Sequence, residues 1–283
     1  IPVGYIAWFF KKLKNIPFIV FFHGMDFGCC TRNSSKQKKT YKILQNASKV
    51  VVNSEYLKKQ ISKIYPNLKT QIIVVYPCPS IDPHCDQDRF LQVQKKYNPG
   101  NRPVLFGCGR LVERKGFDKV IESLTEVIKK VPNILYLICG DGPDKSRLEK
   151  LVKKNNLKNN IKFIGNVSGS DKKSELPSLY KLSDVFIMPA RDMADGEIEG
   201  FGMVLVEAAL FAKPVIAGKS GGMPEAVKDG ETGLVIDPNN CQEIANSITK
   251  LITDKEMASK MGVAGQKRIK NKFNWSIQLQ KII

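Results

Sequence analysis

The 283-residue chain has no long hydrophobic run: FIVFF at 18–22 is parted from IAWFF at 6–10 by KKLKN. Neither approaches the ~18 apolar residues that a membrane-spanning helix needs. Histidine is almost absent, and His23 and His84 alone exclude a histidine-rich metal site. The seven cysteines are odd in number, scattered and without a CxxC pair. That pattern argues against a disulfide framework and a zinc site, and for a reducing compartment. Arginine is scarce for so basic a chain, with 8 Arg among 45 basic side chains and a net charge of +18. Base and phosphate recognition in nucleic acids favours the planar Arg fork, and no nucleic-acid motif is present, so no nucleic-acid partner is expected. Methionine is missing from position 1, and no basic-then-apolar leader follows Ile1. The expectation is a trimmed chain with no secretory signal in view.

What is present suits a packed core spread over two domains: 42% hydrophobic and 25% charged residues. Residues 1–100 carry 16 basic and 5 acidic side chains, most of the positive excess. This points either to a phosphate-rich or membrane partner or to solvated lysines in a Lys-rich composition. Short apolar runs at 103–108, 134–139, 161–164, 185–188 and 214–217 read as strands of a parallel sheet buried on both faces. Between them, 117–130 places Val120, Ile121, Leu124, Val127 and Ile128 on one helical face. Residues 18–75 repeat the alternation, with strands at 18–22, 49–53 and 71–75 and helices near 36–47 and 54–64. The proline-rich stretch 77–102 reads as the linker. The expected fold class is α/β, with two Rossmann-like domains facing a cleft.

In open parallel sheets, ligands sit beyond the carboxyl ends of the strands. One such end reads FGCGRLVERKGFDKV, where Gly107 and Gly109 ease the backbone and Arg110 and Lys115 supply two cations, as a diphosphate requires. The alternative is a solvated basic loop. A second end, 189–225, holds Asp192, Asp195, Glu197 and Glu199, with Gly200 and Gly202 around Phe201 at the start of a helix through 203–211. Free backbone N–H groups there suit a sugar or phosphate oxygen. Glu207 lies in the apolar run MVLVEAALFA, so it needs a partner, either a structural one such as Arg or a pair of ribose hydroxyls. A third glycine-rich turn runs from Gly218 to Gly222, with Pro224 and Glu225.

Together these motifs resemble retaining glycosyltransferases of family 4, which have the GT-B fold. The resemblance rests on GRLVERKG at 109–116, Glu199 and Glu207 with seven residues between, KPVIAGKSGGMPE at 213–225, DGETGLVIDP at 229–238 and the closing FNW at 273–275. It covers residues 103–275. The loop DMADGEIEGFG is similar to the GDP-mannose-dependent branch that makes phosphatidylinositol mannosides.

The resemblance implies transfer of a hexose, mannose or glucose, from a nucleotide-sugar donor to a glycan or lipid-linked acceptor, with retention. The donor would be GDP-mannose or a UDP-hexose, with no metal and no other cofactor. Arg110 and Lys115 would hold the diphosphate, helped by Gly109, and Glu207 the ribose. Glu199, with backbone at Phe201, Gly202, Met203 and Val204, would orient the hexose. Asn166 and Val167 would meet the base. His23 and Asp26 would lie on the acceptor side, although from the residues alone His23 is a lone histidine after a strand.

The implied division is a partial acceptor-side domain at 1–95, a donor-binding domain at 96–270 and a tail helix at 271–283 that crosses back. Family members begin with a strand and glycine-rich loop to which nothing in 1–17 corresponds, so the first domain reads as incomplete and the piece itself as doubtfully active. The expected location is cytoplasmic and peripheral, on the inner face of an anionic membrane. A nucleotide-sugar 2-epimerase and a non-catalytic nucleotide-sugar binding subunit are the competing readings.

Overall fold

The computed structural model describes residues 2–282 apart from 168, 170, 172 and 195. Two parallel sheets organise it. The smaller has the order β1 (Ile19–Phe22), β2 (Lys49–Val52), β3 (Ile72–Val74). With it go α1 (Pro2–Lys14), α2 (Met25–Thr31), α3 (Ser34–Asn46) and α4 (Glu55–Ile64). Helix α5 (Gln87–Tyr97) comes next in the chain. The larger sheet is built from β4 (Val104–Cys108), β5 (Leu135–Cys139), β6 (Ile161–Gly165), β7 (Val185–Met188), β8 (Val215–Gly218) and β9 (Gly233–Ile236). Its helices are α6 (Phe117–Lys130), α7 (Lys145–Lys154), α8 (Glu175–Leu182), α9 (Met203–Leu210), α10 (Met223–Ala226), α11 (Cys241–Thr253), α12 (Lys255–Lys272) and α13 (Trp275–Leu279).

The strand order is β6-β5-β4-β7-β8-β9, so the direction of winding reverses between β4 and β7. In open parallel sheets this reversal point, at the carboxyl ends of the strands, is where a ligand crevice is expected. Successive strand residues serve opposite faces: Val104 and Phe106 join one core and Leu105 the other. One core lies under α6, α7 and α11. The other is continuous with the smaller sheet through Tyr76, Phe201 and Phe273, whose ring centroids lie 5.4–5.6 Å apart.

The strands fall where the apolar runs put them, within a residue or two at each end. β9, inside DGETGLVIDP, is a strand that the periodicity did not mark. The stretch 77–102 is not structureless: it contains α5, capped by Asp86, whose carboxylate accepts from Arg89 N–H at 2.9 Å. Pro77, Pro79 and Pro83 precede this helix and Pro99 follows it, so the prolines bracket it instead of breaking it. Val93 and Tyr97, four apart, bury one face, and Glu175 of α8 pairs with Arg89 at 3.1 Å and Lys96 at 3.0 Å. After α12 the chain returns to the smaller sheet, where Gln278 Oε1 accepts from Tyr76 N–H at 2.9 Å. Among the described residues, no helix is long and apolar enough to cross a membrane.

Candidate functional site

The loops after β4 and β7 meet backbone to backbone. Gly116 has φ +75°, and a Cβ there would sit 2.1 Å from the Pro189 carbonyl oxygen, so only glycine fits. Arg191 N–H donates to Arg114 O at 2.8 Å. Beneath them Arg191, 7% exposed, donates to both oxygens of Asp118 at 2.9 Å and to Glu113 at 3.1 Å. Burial alone would raise the Asp118 carboxyl, but Arg191 and then Arg147 outweigh it and hold it below the ordinary range. This buried pairing sets the two loops in register.

On that base the charged cluster assembles. Glu199 Oε2 accepts from Arg114 Nη1 at 2.6 Å and Lys115 Nζ at 2.7 Å, and Glu197 lies 3.7 Å from Arg114 Nε. Burial raises the Glu199 carboxyl, yet the Lys115 and Arg114 charges prevail and its pKa is lowered. Arg110 stands exposed on the same loop, its guanidinium without a hydrogen bond or ion pair to the described residues. Arg114 and Lys115 are thus engaged by carboxylates, while Arg110 is the exposed cation of this loop, and its charge suits an anionic ligand.

Gly200 is the point where the smaller sheet's unit touches the cluster. A Cβ on it would lie 2.2 Å from His23 O, and Asn53 Nδ2 donates to that same oxygen at 2.8 Å. The His23 side chain is exposed. Asp26 is occupied: its carboxylate accepts from the backbone N–H groups of His23, Gly24 and Phe27 at 2.9 Å each, shaping the turn into α2. His23, Asp26, Arg114, Ile198, Glu199 and Gly200 line a cavity of about 380 Å³. A neighbouring cavity of about 500 Å³ shares Ile198 and is lined by Phe27, Arg32, Tyr56, Gln60 and Asp192 among others.

Helix α9 is entered from Gly202, which is left-handed (φ +85°), and no side chain caps it. The first N–H groups, at Met203 and Val204, are the ones a helix leaves without internal partners. Phe201 contributes backbone here, since its ring is buried against Tyr76 and Phe273. Glu207 lies about one turn further in. Its partner among the described residues is not an Arg but the fully buried Tyr180 phenol, which donates to Oε2 at 2.7 Å. Burial pushes the Glu207 carboxyl up, and the Tyr180 hydrogen bond offsets part of this. Its second oxygen has no hydrogen bond from the described residues.

Asn166 and Val167 follow β6, two strands from β4, and Gly140 N–H donates to Gly165 O at 2.8 Å beside them. The expected base, diphosphate and sugar residues thus form a row along one edge of the sheet, across β6, β5, β4 and β7. At ~4.8 Å per strand this row measures ~14 Å, a length for an elongated ligand. Asp195 lies outside the described residues. Glu225 turns away from the row toward α4, and Asp192 accepts from Ser220 Oγ at 2.6 Å. Sequence reasoning missed Arg114, Tyr180 and the Arg191–Asp118 pair. Arg114 was within reach, beside Lys115 in the same motif, whereas nothing in the run ELPSLYKL distinguishes Tyr180 from a core aromatic.

The family described as "Glycosyl transferases group 1" matches residues 88–268. A GDP-mannose-dependent alpha-(1-6)-phosphatidylinositol monomannoside mannosyltransferase of Mycobacterium tuberculosis is 34% identical over 210 residues, 71% of this chain and 54% of that protein. An uncharacterized glycosyltransferase of Methanocaldococcus jannaschii is 30% identical over 275 residues, 97% of this chain and 69% of the other. The chain spans about half the length of the mycobacterial relative. Among solved structures, Anabaena HepE in complex with UDP and glucose superposes with a TM-score of 0.81 at 21% identity, covering 99% of this chain and 74% of that one. The fold is that of the GT-B glycosyltransferases.

Proposed function

The chain belongs to the glycosyl transferases of group 1, and from that membership we propose that it serves transfer of a hexose from a nucleoside-diphosphate sugar to a glycan or lipid-linked acceptor, with retention. The observation that carries this is the meeting of Arg114 and Lys115 on Glu199, just ahead of the uncapped start of α9 at the reversal point between β4 and β7, with Arg110 exposed on the same loop as the two cations. The diphosphate gains charge as the bond from its oxygen to the sugar's anomeric carbon breaks. Cations already positioned there stabilise that charge without reorganising. The acceptor oxygen bonds to the same carbon on the face the leaving group vacates, and its proton passes to the departing phosphate oxygen. No side-chain nucleophile is required. Glu207, with one oxygen on Tyr180, offers the other to the ribose. Glu199, held by Arg114 and Lys115, takes the hexose hydroxyls, and His23 borders the acceptor.

Mannose or glucose is the sugar, since the mycobacterial relative is named for GDP-mannose and the Anabaena structure holds UDP and glucose. Thermal unfolding with GDP, UDP and ADP, then transfer or hydrolysis of labelled GDP-mannose and UDP-glucose, tests the reading. One diphosphate should raise the midpoint, and its sugar should be consumed. No shift with any of the three would overturn it.

The lipid-linked acceptor draws support from the surface of the smaller unit. On α1, Val3, Ile6, Phe9, Phe10 and Leu13 are 45–77% exposed. The ammonium groups of Lys12 and Lys42 lie 4.7 and 4.6 Å over the Trp8 ring, and Lys36, Lys38 and Lys39 extend the basic strip. Apolar side chains beside lysines suit an anionic bilayer surface, each lysine adding ~1 kcal/mol. The chain should therefore pellet with phosphatidylglycerol vesicles, less so in high salt, and not with phosphatidylcholine. A protein left in the supernatant with phosphatidylglycerol at low salt makes a soluble acceptor the better assignment.

A further inference from the structure

Glu225 belongs to the larger sheet's unit, yet its carboxylate is spent on the smaller one. Oε2 accepts from Glu55 N–H and Oε1 from Tyr56 N–H, both at 2.7 Å. These are the first two N–H groups of α4, which the helix cannot satisfy itself, and a negative charge there also meets the favourable end of the helix dipole. The Tyr76 phenol lies against the same carboxylate, its pKa raised by burial and then by the Glu225 charge. Behind it, Arg268 donates to the carbonyls of Glu225 and Ala226 at 2.7 Å each. The short helix α10 is thereby fixed, and Glu225 cannot swing free of its own unit.

The contact is continuous with the candidate site. Gly222 N–H donates to Glu199 O at 3.1 Å, Gly200 abuts His23 O, and His23 O accepts from Asn53, two residues before α4. Glu225, the start of α4, Asn53, His23, Gly200, Glu199 and Gly222 thus close a ring through both units.

We propose that Glu225 is a positioning residue, a latch that holds the start of α4 and so sets His23 opposite Glu199 and Arg114. Its part in transfer rests on the glycosyltransferase reading; its part in holding the two units together does not. Opening the cleft requires both 2.7 Å hydrogen bonds to break. The tail contact between Gln278 and Tyr76 lies outside the ring, so it can persist.

The test compares wild type with Glu225→Ala, Glu225→Gln and Glu55→Pro. Proline is tolerated at the first position of a helix, where it deletes only an N–H without an internal partner. Ser54 before it is already extended (φ −158°, ψ 153°), as a residue preceding proline must be. Glu55→Pro therefore removes one donor from the opposite side of the latch and leaves α4 intact, which circular dichroism checks. Small-angle scattering in the presence of GDP or UDP should show a more extended particle for Glu225→Ala and for Glu55→Pro. Their effects should be non-additive in the double variant, because both act on one contact. Glu225→Gln, keeping an acceptor oxygen, should lie between. The nucleotide Kd should stay within about twofold, while kcat falls roughly 10–100-fold, as misplacement across the cleft predicts. Wild-type scattering from a folded Glu225→Ala protein overturns the latch. So do additive effects of the two substitutions. Scattering that changes as expected in a protein whose unfolding midpoint GDP, UDP and ADP all leave unmoved keeps the latch and rejects the glycosyltransferase reading.

Discussion

Lys115→Ala and Arg110→Ala should each slow sugar transfer by ~10²-fold or more, the usual cost of removing a preorganised group aimed at developing charge. The two differ in what they leave behind. Arg110 is exposed and without an ion pair to the described residues, so its loss should leave thermal stability unchanged. Lys115 is one of two cations on Glu199 Oε2, at 2.7 Å, and its removal leaves Arg114 at 2.6 Å as the remaining neutraliser. Arg114→Ala should accordingly match Lys115→Ala in rate, and the double variant should also destabilise the fold, because Glu199 would then be stranded. Such stability depends on pH in a defined direction. The Glu199 pKa is lowered on folding, so its stabilisation is present above the ordinary carboxyl value of 4.5 and is lost as pH falls through the folded value. Measurement of kcat/KM on the single variants decides the matter. Wild-type turnover in Lys115→Ala or Arg110→Ala rejects the diphosphate assignment.

Glu207→Gln should weaken nucleotide-sugar binding by ~10–100-fold, the 1.5–3 kcal/mol that a hydrogen bond to a charged group contributes. It should do so while leaving the protein as stable as wild type or more so near neutrality. The Glu207 pKa is raised on folding, first by burial, so between the unfolded value of 4.5 and the folded value the native state holds more protons than the unfolded one. Stability of the wild type therefore falls as pH rises through that window. The amide substitution removes this slope, and the two unfolding curves should converge below the ordinary carboxyl value, where the wild-type side chain is neutral as well. The neutral amide can still accept from Tyr180. Tyr180→Phe is the complementary variant: it removes the only hydrogen bond that Glu207 receives from the described residues, and should raise the Glu207 pKa further. Calorimetric unfolding from pH 4 to 8, with and without the nucleoside diphosphate, checks both effects. An affinity unchanged by Glu207→Gln at pH 7 removes Glu207 from the binding site.

Much of the framework was legible before the structure. A parallel sheet buried on both faces writes itself as short apolar runs, and an amphipathic helix as a 3.6-residue repeat, because burial acts on neighbours in the chain. The segment FDKVIESLTEVIKK needed nothing else to be placed at 117–130. The helix in the proline-rich stretch was less legible, since proline marks a boundary without saying on which side of it the helix lies. β9 carries as many apolar side chains as IKFI at 161–164, but its flanking Gly and Asp-Pro residues are turn formers, and they hid the strand inside a loop-like motif. Several donor-site residues were visible for a related reason: glycines and charges at strand ends are local signals, and the ends of a parallel sheet are where ligands collect.

Short-range pattern alone thus yields the α/β alternation, the strand ends and the candidate residues that sit on them. The tertiary structure decided which of those residues meet. Glu199 reaches Lys115 and Arg114 across 84 and 85 positions, and Tyr180 reaches Glu207 across 27. Glu225 finds the start of α4 across 170. These pairings follow from β7 lying beside β4 and from the smaller unit docking at Gly200. Sheet order and docking are settled by packing summed over the whole core, and no local period records them.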